Sequence, residues 1–209
     1  MILTLLFVTL SLAGYGVDIS TYHSVSQLEC MVNNGFTFLI PRCWCSDASY
    51  DSNCLSSTNN GYHTGMFRVD SFFFYCFSSG NGGGQVSTFW SQATGEGVWV
   101  TRIWFDIEGE WSSSYSTNQA FLMDMVEQAR SIGIVYGIYC NYNYWTYFFG
   151  YDYVFPYNYE IPLWFAHYND DPSFASFDAF GGWTWPKIKQ YSGNVNFCDG
   201  WVDFNYEDA

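Results

Sequence analysis

A run of apolar residues that ends in two acids constrains the fold of this chain most. The run over residues 98–105 predicts a buried strand, and Asp106-Ile107-Glu108 follows it directly. Because alternate side chains of a strand share a face, Asp106 and Glu108 should project together, with their β-carbons roughly 7 Å apart. Acids this close move each other's pKa values apart, so that one can hold a proton while the other stays charged. The alternative is that one acid caps the following helix and the other is solvated.

The residues on both sides of this strand predict an alternation of strands and helices. Ser116-x-x-Gln119 is a capping-box pattern, Gly133 is typical of a helix end, and residues 134–139 predict the next strand. A similar strand–helix–strand unit is predicted over residues 16–40. Past residue 150, strands are predicted with few helices between them. The pattern indicates a single α/β domain, like a barrel without its last helices, with functional side chains at the carboxyl ends of its strands.

The charge of the chain excludes one class of partner. Its 209 residues include 6 Lys and Arg against 20 Asp and Glu, which gives a formal net charge of -14. Nucleic-acid binding needs clustered cations, so no nucleic acid is expected as a partner. An anionic membrane or cell wall is not attracted at neutral pH either, and an acidic working environment would relieve the repulsion. Aromatic residues make up 23% of the chain; most are expected in the core, but so many also favour stacking surfaces for sugar rings.

The N-terminal residues and the cysteines indicate a secreted protein. Residues 2–13 are apolar but too few to span a bilayer, and Ser11 and Ala13 suit a cleavage site, so residues 1–13 are interpreted as a signal peptide and 14–209 as the mature domain. Seven cysteines fit disulfides, and the odd count leaves at least one thiol unpaired. Cys43 and Cys45 each need a distant partner, in a polar stretch that predicts a long loop up to residue 62. A zinc site is the alternative, but no Cys-x-x-Cys or His pair supports it. The pairing stays open.

Six short motifs, taken together, resemble one known family. In order along the chain they are Gly16-Val17-Asp18-Ile19-Ser20, Phe105-Asp106-Ile107-Glu108, Tyr136-Gly137-Ile138-Tyr139, Leu163-Trp164-Phe165-Ala166-His167-Tyr168, Lys189-Gln190-Tyr191-Ser192-Gly193 and Val202-Asp203-Phe204-Asn205. The chain resembles the lysozymes of glycoside hydrolase family 25, the Chalaropsis-type muramidases, from about residue 15 to residue 205. The resemblance implies an irregular TIM-like (β/α)5(β)3 barrel and hydrolysis, with net retention, of the β-1,4 bond between N-acetylmuramic acid and N-acetylglucosamine in bacterial peptidoglycan.

The resemblance also implies a set of catalytic residues. Carried over by position, Glu108 is the general acid, and Asp106, Asp18 and Asp203 are the other carboxylates of the pocket. Asp18 and Asp203 come from opposite ends of the chain, and pairing of the first and last strands would bring them together. Asp106 either attacks the sugar or orients the substrate's own acetamido group as the nucleophile, and the sequence does not choose between these routes.

Aromatic residues are expected around the acids. Tyr136, Tyr139, Trp164 and Tyr168 are predicted to lie near the substrate. Phe67 stands where the family often has the tyrosine of a Tyr-His pair, and it is predicted to stack on a sugar without donating a hydrogen bond. No cofactor and no metal is expected. The predicted protein is a monomer, secreted or held in a lysosome- or phagosome-like compartment, without a membrane association once the signal is removed.

The sequence argues against two other classes of hydrolase and leaves one alternative. A chitinase strand has the form Asp-x-x-Asp-x-Asp-x-Glu, and Trp104 stands two positions before Asp106, so that pattern fails. A triad hydrolase lacks its Gly-x-Ser-x-Gly elbow. A catalytically inactive, carbohydrate-binding or immune-modulating homologue is disfavoured by the presence of all four acids, and it remains the alternative to an enzyme.

Overall fold

Nine strand segments, five α-helices and a short 3₁₀ helix over Phe77–Ser79 make up the fold. The computed structural model describes residues 14–208, so the predicted signal peptide lies outside the described residues. The strands are β1 (Gly14–Ile19), β2 (Phe36–Trp44), β3 (Arg68–Val69), β4 (Ser71–Phe73), β5 (Ile103–Asp106), β6 (Tyr136–Cys140), β7 (Leu163–Ala166), β8 (Ile188–Phe197) and β9 (Gly200–Glu207). The helices are α1 (Val25–Asn33), α2 (Cys54–His63), α3 (Gly82–Glu96), α4 (Tyr115–Ser131) and α5 (Tyr142–Phe149).

The strands close into a barrel of eight positions. β3 and β4 are separated by Asp70 alone and both pair with β2, so together they fill the third position. The pairs from β1–β2 through β7–β8 are parallel, whereas β9 is antiparallel to both β8 and β1 and closes the ring. One helix follows each of the first five positions and none of the described residues forms a helix after β7. This is the predicted irregular (β/α)5(β)3 barrel.

Alternate side chains of each strand point into the barrel, so every second residue of a strand lies on its inner face. A layer of buried apolar side chains fills the interior, including Phe38, Trp104, Trp164 and Ile188. Two inward positions are glycines because large side chains cross them. An added β-carbon would lie 2.1 Å from Phe38 at Gly16, and 2.3 Å from Trp104 at Gly137. The outward side chains pack under the helices in two further clusters.

Local signals placed several element ends correctly and missed others. The Ser24–Gln27 capping box at the start of α1 is confirmed. The cap of α4 is Ser114, two residues before the predicted one, because its side chain accepts from the backbone N–H of Thr117. The predicted loop over residues 43–62 was wrong, since it includes α2, a helix with little apolar periodicity.

The floor of the barrel, at the amino ends of the parallel strands, holds a network of ion pairs. Arg68 and Lys187 both contact the carboxylate of Glu207, which β9 brings to this end because it runs antiparallel. Arg68 Nε also lies 3.3 Å from Oδ2 of the fully buried Asp70. Trp104 Nε1 donates to the same oxygen at 2.9 Å. Ion-paired side chains therefore fill the end of the barrel opposite the predicted site.

Two disulfides fasten helices to the barrel. Cys30 in α1 is bonded to Cys198 in the β8–β9 turn, and Cys43 in β2 is bonded to Cys54, the first residue of α2. Cys45 therefore has no disulfide partner, contrary to expectation, and Cys76 and Cys140 are free as well. Among residues 14–208, none of the helices combines the length and the apolar character needed to cross a membrane.

Candidate active site

Four carboxylates from three strands converge at the mouth of the barrel. Asp106 ends β5, and Glu108 follows on the same face, so both line one cavity. Asp18 lies opposite Asp203 in the antiparallel register of β1 and β9, and both line the same cavity. Closure of the barrel by its first and last strands thus joins residues 185 positions apart, as predicted. We call this cavity, of about 260 Å³, the acid cavity.

Gln190 on β8 links two of these acids to two tyrosines. Its Nε2 donates to Asp18 Oδ2 at 2.9 Å and to Asp203 Oδ2 at 3.0 Å. Its Oε1 accepts from the hydroxyl groups of Tyr139 at 2.6 Å and Tyr168 at 2.8 Å. One buried side chain thus makes four hydrogen bonds, and Gln190 holds the two carboxylates in place relative to the two tyrosines.

Asn205 and Asn194 complete the hydrogen bonds of the same acids. Asn205 Nδ2 donates to Asp18 Oδ2 at 2.7 Å, and its Oδ1 accepts from Trp164 Nε1 at 2.8 Å. The backbone N–H of Asn194 donates to Asp203 Oδ1 at 2.6 Å. No role was predicted for Gln190 or Asn205, although both lie in motifs that carry the resemblance.

Burial and mutual repulsion raise the pKa of every acid in the group. Burial raises the pKa of Asp106 well above its usual range, and the charges of Glu108 and Asp18 add to this. The pKa of Asp18 is raised well above its usual range by burial and then by Asp203. Burial, followed by the charge of Asp203, raises the pKa of Glu108, and burial raises that of Asp203. The group therefore holds protons at pH values where isolated carboxyls are ionised.

Contacts from neighbouring strands hold the backbone that carries Glu108. The hydroxyl of Tyr75 donates to the carbonyl oxygen of Glu108. The backbone N–H of Ile107 donates to the carbonyl oxygen of Tyr139 at 2.8 Å, so the ladder with β6 continues past the end of β5. The thiol of Cys140 donates to the carbonyl oxygen of Ile107 at 3.4 Å. Glu108 is thus a partly exposed side chain on a fixed main chain.

Three of the predicted aromatic residues line the acid cavity, and three others join them. Tyr139, Trp164 and Tyr168 lie where the sequence analysis expected them. Phe72, Phe74 and Trp201 also line the cavity, without having been predicted. Arg42 is the one basic residue among its described lining, and its Nε contacts Asp51 at 2.8 Å. Among residues 14–208, no group of three or more His, Cys, Asp or Glu side chains is arranged to hold a metal ion.

Two predicted substrate-binding residues lie elsewhere. Phe67 precedes β3 at the floor end and is 92% exposed, and Phe72 and Phe74 occupy the third position at the mouth instead. The strand is two residues or more further along than the motif suggested, which explains the error. Tyr136 has the opposite parity from Tyr139, so it points outward from the start of β6. Its ring packs 5.5 Å from that of Phe105, outside the barrel.

Similarity to known proteins identifies the family of this chain. The family model described as Lysozyme-like protein 1 matches residues 10–191. A Dictyostelium discoideum protein named "Probable GH family 25 lysozyme 5" is 33% identical over 209 residues, which span 98% of this chain and 95% of the relative. The chain belongs to glycoside hydrolase family 25. Its membership of this family makes it a glycoside hydrolase.

Solved structures agree with the family 25 fold. A muramidase from Acremonium alcalophilum superposes with a TM-score of 0.74 at 18% identity, covering 94% of each chain. The modular autolysin of Streptococcus pneumoniae, solved in complex with a synthetic peptidoglycan ligand, gives a TM-score of 0.74 at 13% identity. That superposition covers 93% of this chain and 46% of the autolysin. At these identities the likeness concerns the fold.

Proposed function

We propose that this family 25 protein is a muramidase that hydrolyses the β-1,4 bond between N-acetylmuramic acid and N-acetylglucosamine in bacterial peptidoglycan. The observation that carries the proposal is the placement of Glu108 beside Asp106, Asp18 and Asp203 in one cavity at the carboxyl ends of the strands. Most glycosidases act through two carboxyl groups that flank the scissile glycosidic bond. Tyr168 offers an exposed ring on which a sugar can stack, and the buried rings of Trp164 and Tyr139 line the same cavity.

Glu108 is the general acid in this proposal. Burial and then the charge of Asp203 raise its pKa, so it keeps its proton to a higher pH than an isolated glutamic acid does. Glu108 is also less enclosed than its neighbour Asp106, since Asp106 is 5% exposed and Glu108 is half-buried. Glu108 donates its proton to the leaving oxygen while positive charge develops at the anomeric carbon. The remaining carboxylates stabilise that charge.

Asp106 orients the acetamido group of the substrate rather than attacking the sugar itself. Its Oδ1 is buried and has no hydrogen-bond partner among the described residues. A buried acceptor without a partner is costly, and an amide N–H of the substrate would satisfy it. The acetamido oxygen then attacks the anomeric carbon, and water opens the cyclic intermediate with net retention.

The proposed setting is a secreted monomer that degrades bacterial cell walls, in nutrition or in antibacterial defence. Two disulfides suit an oxidising compartment. The raised pKa values favour an acidic one, because the acids repel one another less when they share protons. A lysosome- or phagosome-like compartment would provide both the pH and the substrate.

The test is a comparison of Glu108→Gln with Glu110→Gln on bacterial walls. Glu110 is exposed and lies two residues further on, so its replacement is a matched control. Clearing of a wall suspension should fall by orders of magnitude for Glu108→Gln and stay unchanged for Glu110→Gln. Analysis of the new reducing ends should show N-acetylmuramic acid. New N-acetylglucosamine ends would overturn the muramidase assignment, and intact walls with the unmodified protein would favour the inactive, carbohydrate-binding homologue.

A further inference from the structure

A second cavity opens beside the acid cavity and shares three residues with it. Glu108, Tyr139 and Tyr168 line both. The second cavity has a volume of about 410 Å³ and extends over the carboxyl ends of β6 and β7 towards α5. The two cavities therefore form one cleft with Glu108 at the junction. Its total size falls within the range of sites that hold extended small ligands.

The wall of the second cavity is aromatic. Tyr142 and Tyr144, in the first turn of α5, face Phe177 and Phe180 from the segment after β7. The ring of Tyr142 meets Phe180 edge-on at 6.1 Å, and Tyr144 stacks on Phe148 at 5.4 Å. The two tyrosines remain 37% and 40% exposed. Each ring is therefore held by an aromatic neighbour and still accessible to a ligand.

Polar groups beside these rings suit an amide-bearing, uncharged ligand. Asn141 caps α5 by accepting from the backbone N–H of Tyr144 at 2.8 Å, which fixes the first turn of the helix. Asn141 and Asn143 both line the cavity. None of the described residues that line it is Lys or Arg, and Glu108 and Asp178 are its acids. An anionic ligand would meet repulsion here, whereas the hydroxyl and acetamido groups of a neutral sugar would find donors and acceptors.

Because Glu108 lies at the junction, its position indicates which half of the substrate each cavity binds. This inference rests on the proposed function. Asp18, Asp106 and Asp203 line the acid cavity and not the second one. The sugar that becomes positively charged must lie among those carboxylates, and the proton goes to the oxygen that leaves it. We propose that the second cavity binds the leaving half of the glycan strand, beginning with N-acetylglucosamine, and that Tyr142 and Tyr144 form its stacking platform.

The test separates binding in this cavity from catalysis. The double variant Tyr142→Ala/Tyr144→Ala is compared with Tyr142→Phe/Tyr144→Phe, which keeps the rings, and with Tyr147→Ala, which removes an exposed tyrosine of the same helix that does not line the cavity. Tyr144→Ala alone replaces the double variant if thermal melting shows that the latter does not fold. Each variant is assayed on a peptidoglycan tetrasaccharide and on an aryl glycoside of N-acetylglucosaminyl-N-acetylmuramic acid, whose leaving group is small. Binding of the uncleaved tetrasaccharide is measured by calorimetry in a Glu108→Gln background.

The expected result is a loss confined to the long substrate. The Ala variant should lose roughly tenfold in kcat/KM and in affinity for the tetrasaccharide, and should hydrolyse the aryl glycoside normally. The Phe variant and Tyr147→Ala should behave as the parent. Unchanged tetrasaccharide affinity, or an equal loss on both substrates, would overturn the proposal. If the parent cleaves neither substrate but its Glu108→Gln form binds the tetrasaccharide through the tyrosines, the muramidase assignment fails and the binding platform stands.

Discussion

Asp18 and Asp203 lie opposite one another across the antiparallel pair of strands that closes the barrel, and one amide group, Nε2 of Gln190, donates to both. Two carboxylates this close would repel each other strongly if both were ionised without such a donor. The pair is therefore a single unit, made of the first strand, the last strand and the strand beside it.

Replacing Gln190 by Glu should impair catalysis. The change keeps the shape of the side chain but puts an acid where the amide donates to Asp18 and Asp203. Hydrogen bonds to charged groups contribute roughly 1.5–3 kcal/mol, so kcat should fall by about 10- to 100-fold. Steady-state assays on wall fragments measure this. Gln92→Glu, an exposed substitution on α3 with the same charge change, should be neutral; equal losses for both would point to net charge rather than to the amide.

Replacing Asp203 by Asn should move the alkaline limb of the pH–activity profile to lower pH. That limb reports the loss of the proton from Glu108 in the free enzyme when kcat/KM is plotted. Burial raises the pKa of Glu108 and the negative charge of Asp203 raises it further. Removal of that charge leaves only burial, so the proton is lost at a lower pH. A limb that stays in place, whatever the loss in rate, would show that Asp203 does not act on Glu108.

The thermal stability of the protein should rise as the pH falls from 7 to 5. The folded-state pKa values of Asp106 and Asp18 are raised, so the folded state binds protons more tightly than the unfolded state. The stability that these groups give is complete below the unfolded pKa, near 4, and is lost as the pH rises through the raised values. Asp106→Asn should therefore raise the melting temperature at pH 7, by ~2–4 °C for each kcal/mol of relief. It should also flatten the pH dependence.

The control for this melting experiment is Asp152→Asn, since Asp152 is exposed. Its profile should follow that of the unmodified protein. A melting temperature that falls between pH 7 and pH 5 would mean that the acids are ionised in the folded state and stabilised by partners.

A thiazoline analogue of N-acetylmuramic acid should inhibit the protein competitively. Such a compound imitates the cyclic intermediate of the route in which Asp106 holds the acetamido group. Asp106→Asn should weaken this inhibition by about 10- to 100-fold, because one charged hydrogen bond is lost. Intact-mass analysis after incubation with a fluorinated glycosyl donor is the complementary measurement. A covalent sugar adduct on Asp106 would refute the acetamido route.

Seven cysteines should divide into two disulfides and three thiols. Alkylation in denaturant should label Cys45, Cys76 and Cys140 before reduction and all seven cysteines afterwards. The Cys30–Cys198 bond closes a long loop, whose two ends are 168 positions apart in the chain. Its removal with serines should lower the free energy of unfolding by roughly 2–4 kcal/mol, measured by denaturant titration. Five labelled thiols before reduction would show that one of the two bonds does not form.

The sequence predicted the elements whose signals are local. Asp106 and Glu108 follow an apolar strand, and their shared parity is enough to put both on one face. The cap at Ser24 likewise depends on residues three positions apart. The pairing of Asp18 with Asp203 was inferred from barrel closure, because a closed ring must join its first and last strands.

The hydrogen-bonding partners of the acids could not be predicted in this way. Gln190 lies 172 residues from Asp18 in the chain, and Asn205 lies 187 residues from it. Neither has a spacing that reveals its partner, since the contact depends on the register of β8 and β9. The errors at Phe67 and Tyr136 have a similar origin: the motif gave the strand but not its exact start or parity. α2 was missed because its polar sequence carries no helical period, and the disulfide at Cys54 ties its first turn to β2.

The ion pairs at the floor of the barrel have a consequence for the opposite end. Arg68 and Lys187 neutralise Glu207 there, whereas the mouth carries four acids that no described cation bridges directly. The molecule thus has an electrical axis that runs along the barrel, negative at the mouth. The negative mouth stabilises the positive charge that develops on the bound sugar. It also repels anionic wall polymers, over a distance set by the Debye length, about 8 Å in physiological salt. Dissolved salt screens this repulsion and therefore helps the wall to approach, but it has little effect once the glycan lies in the cleft.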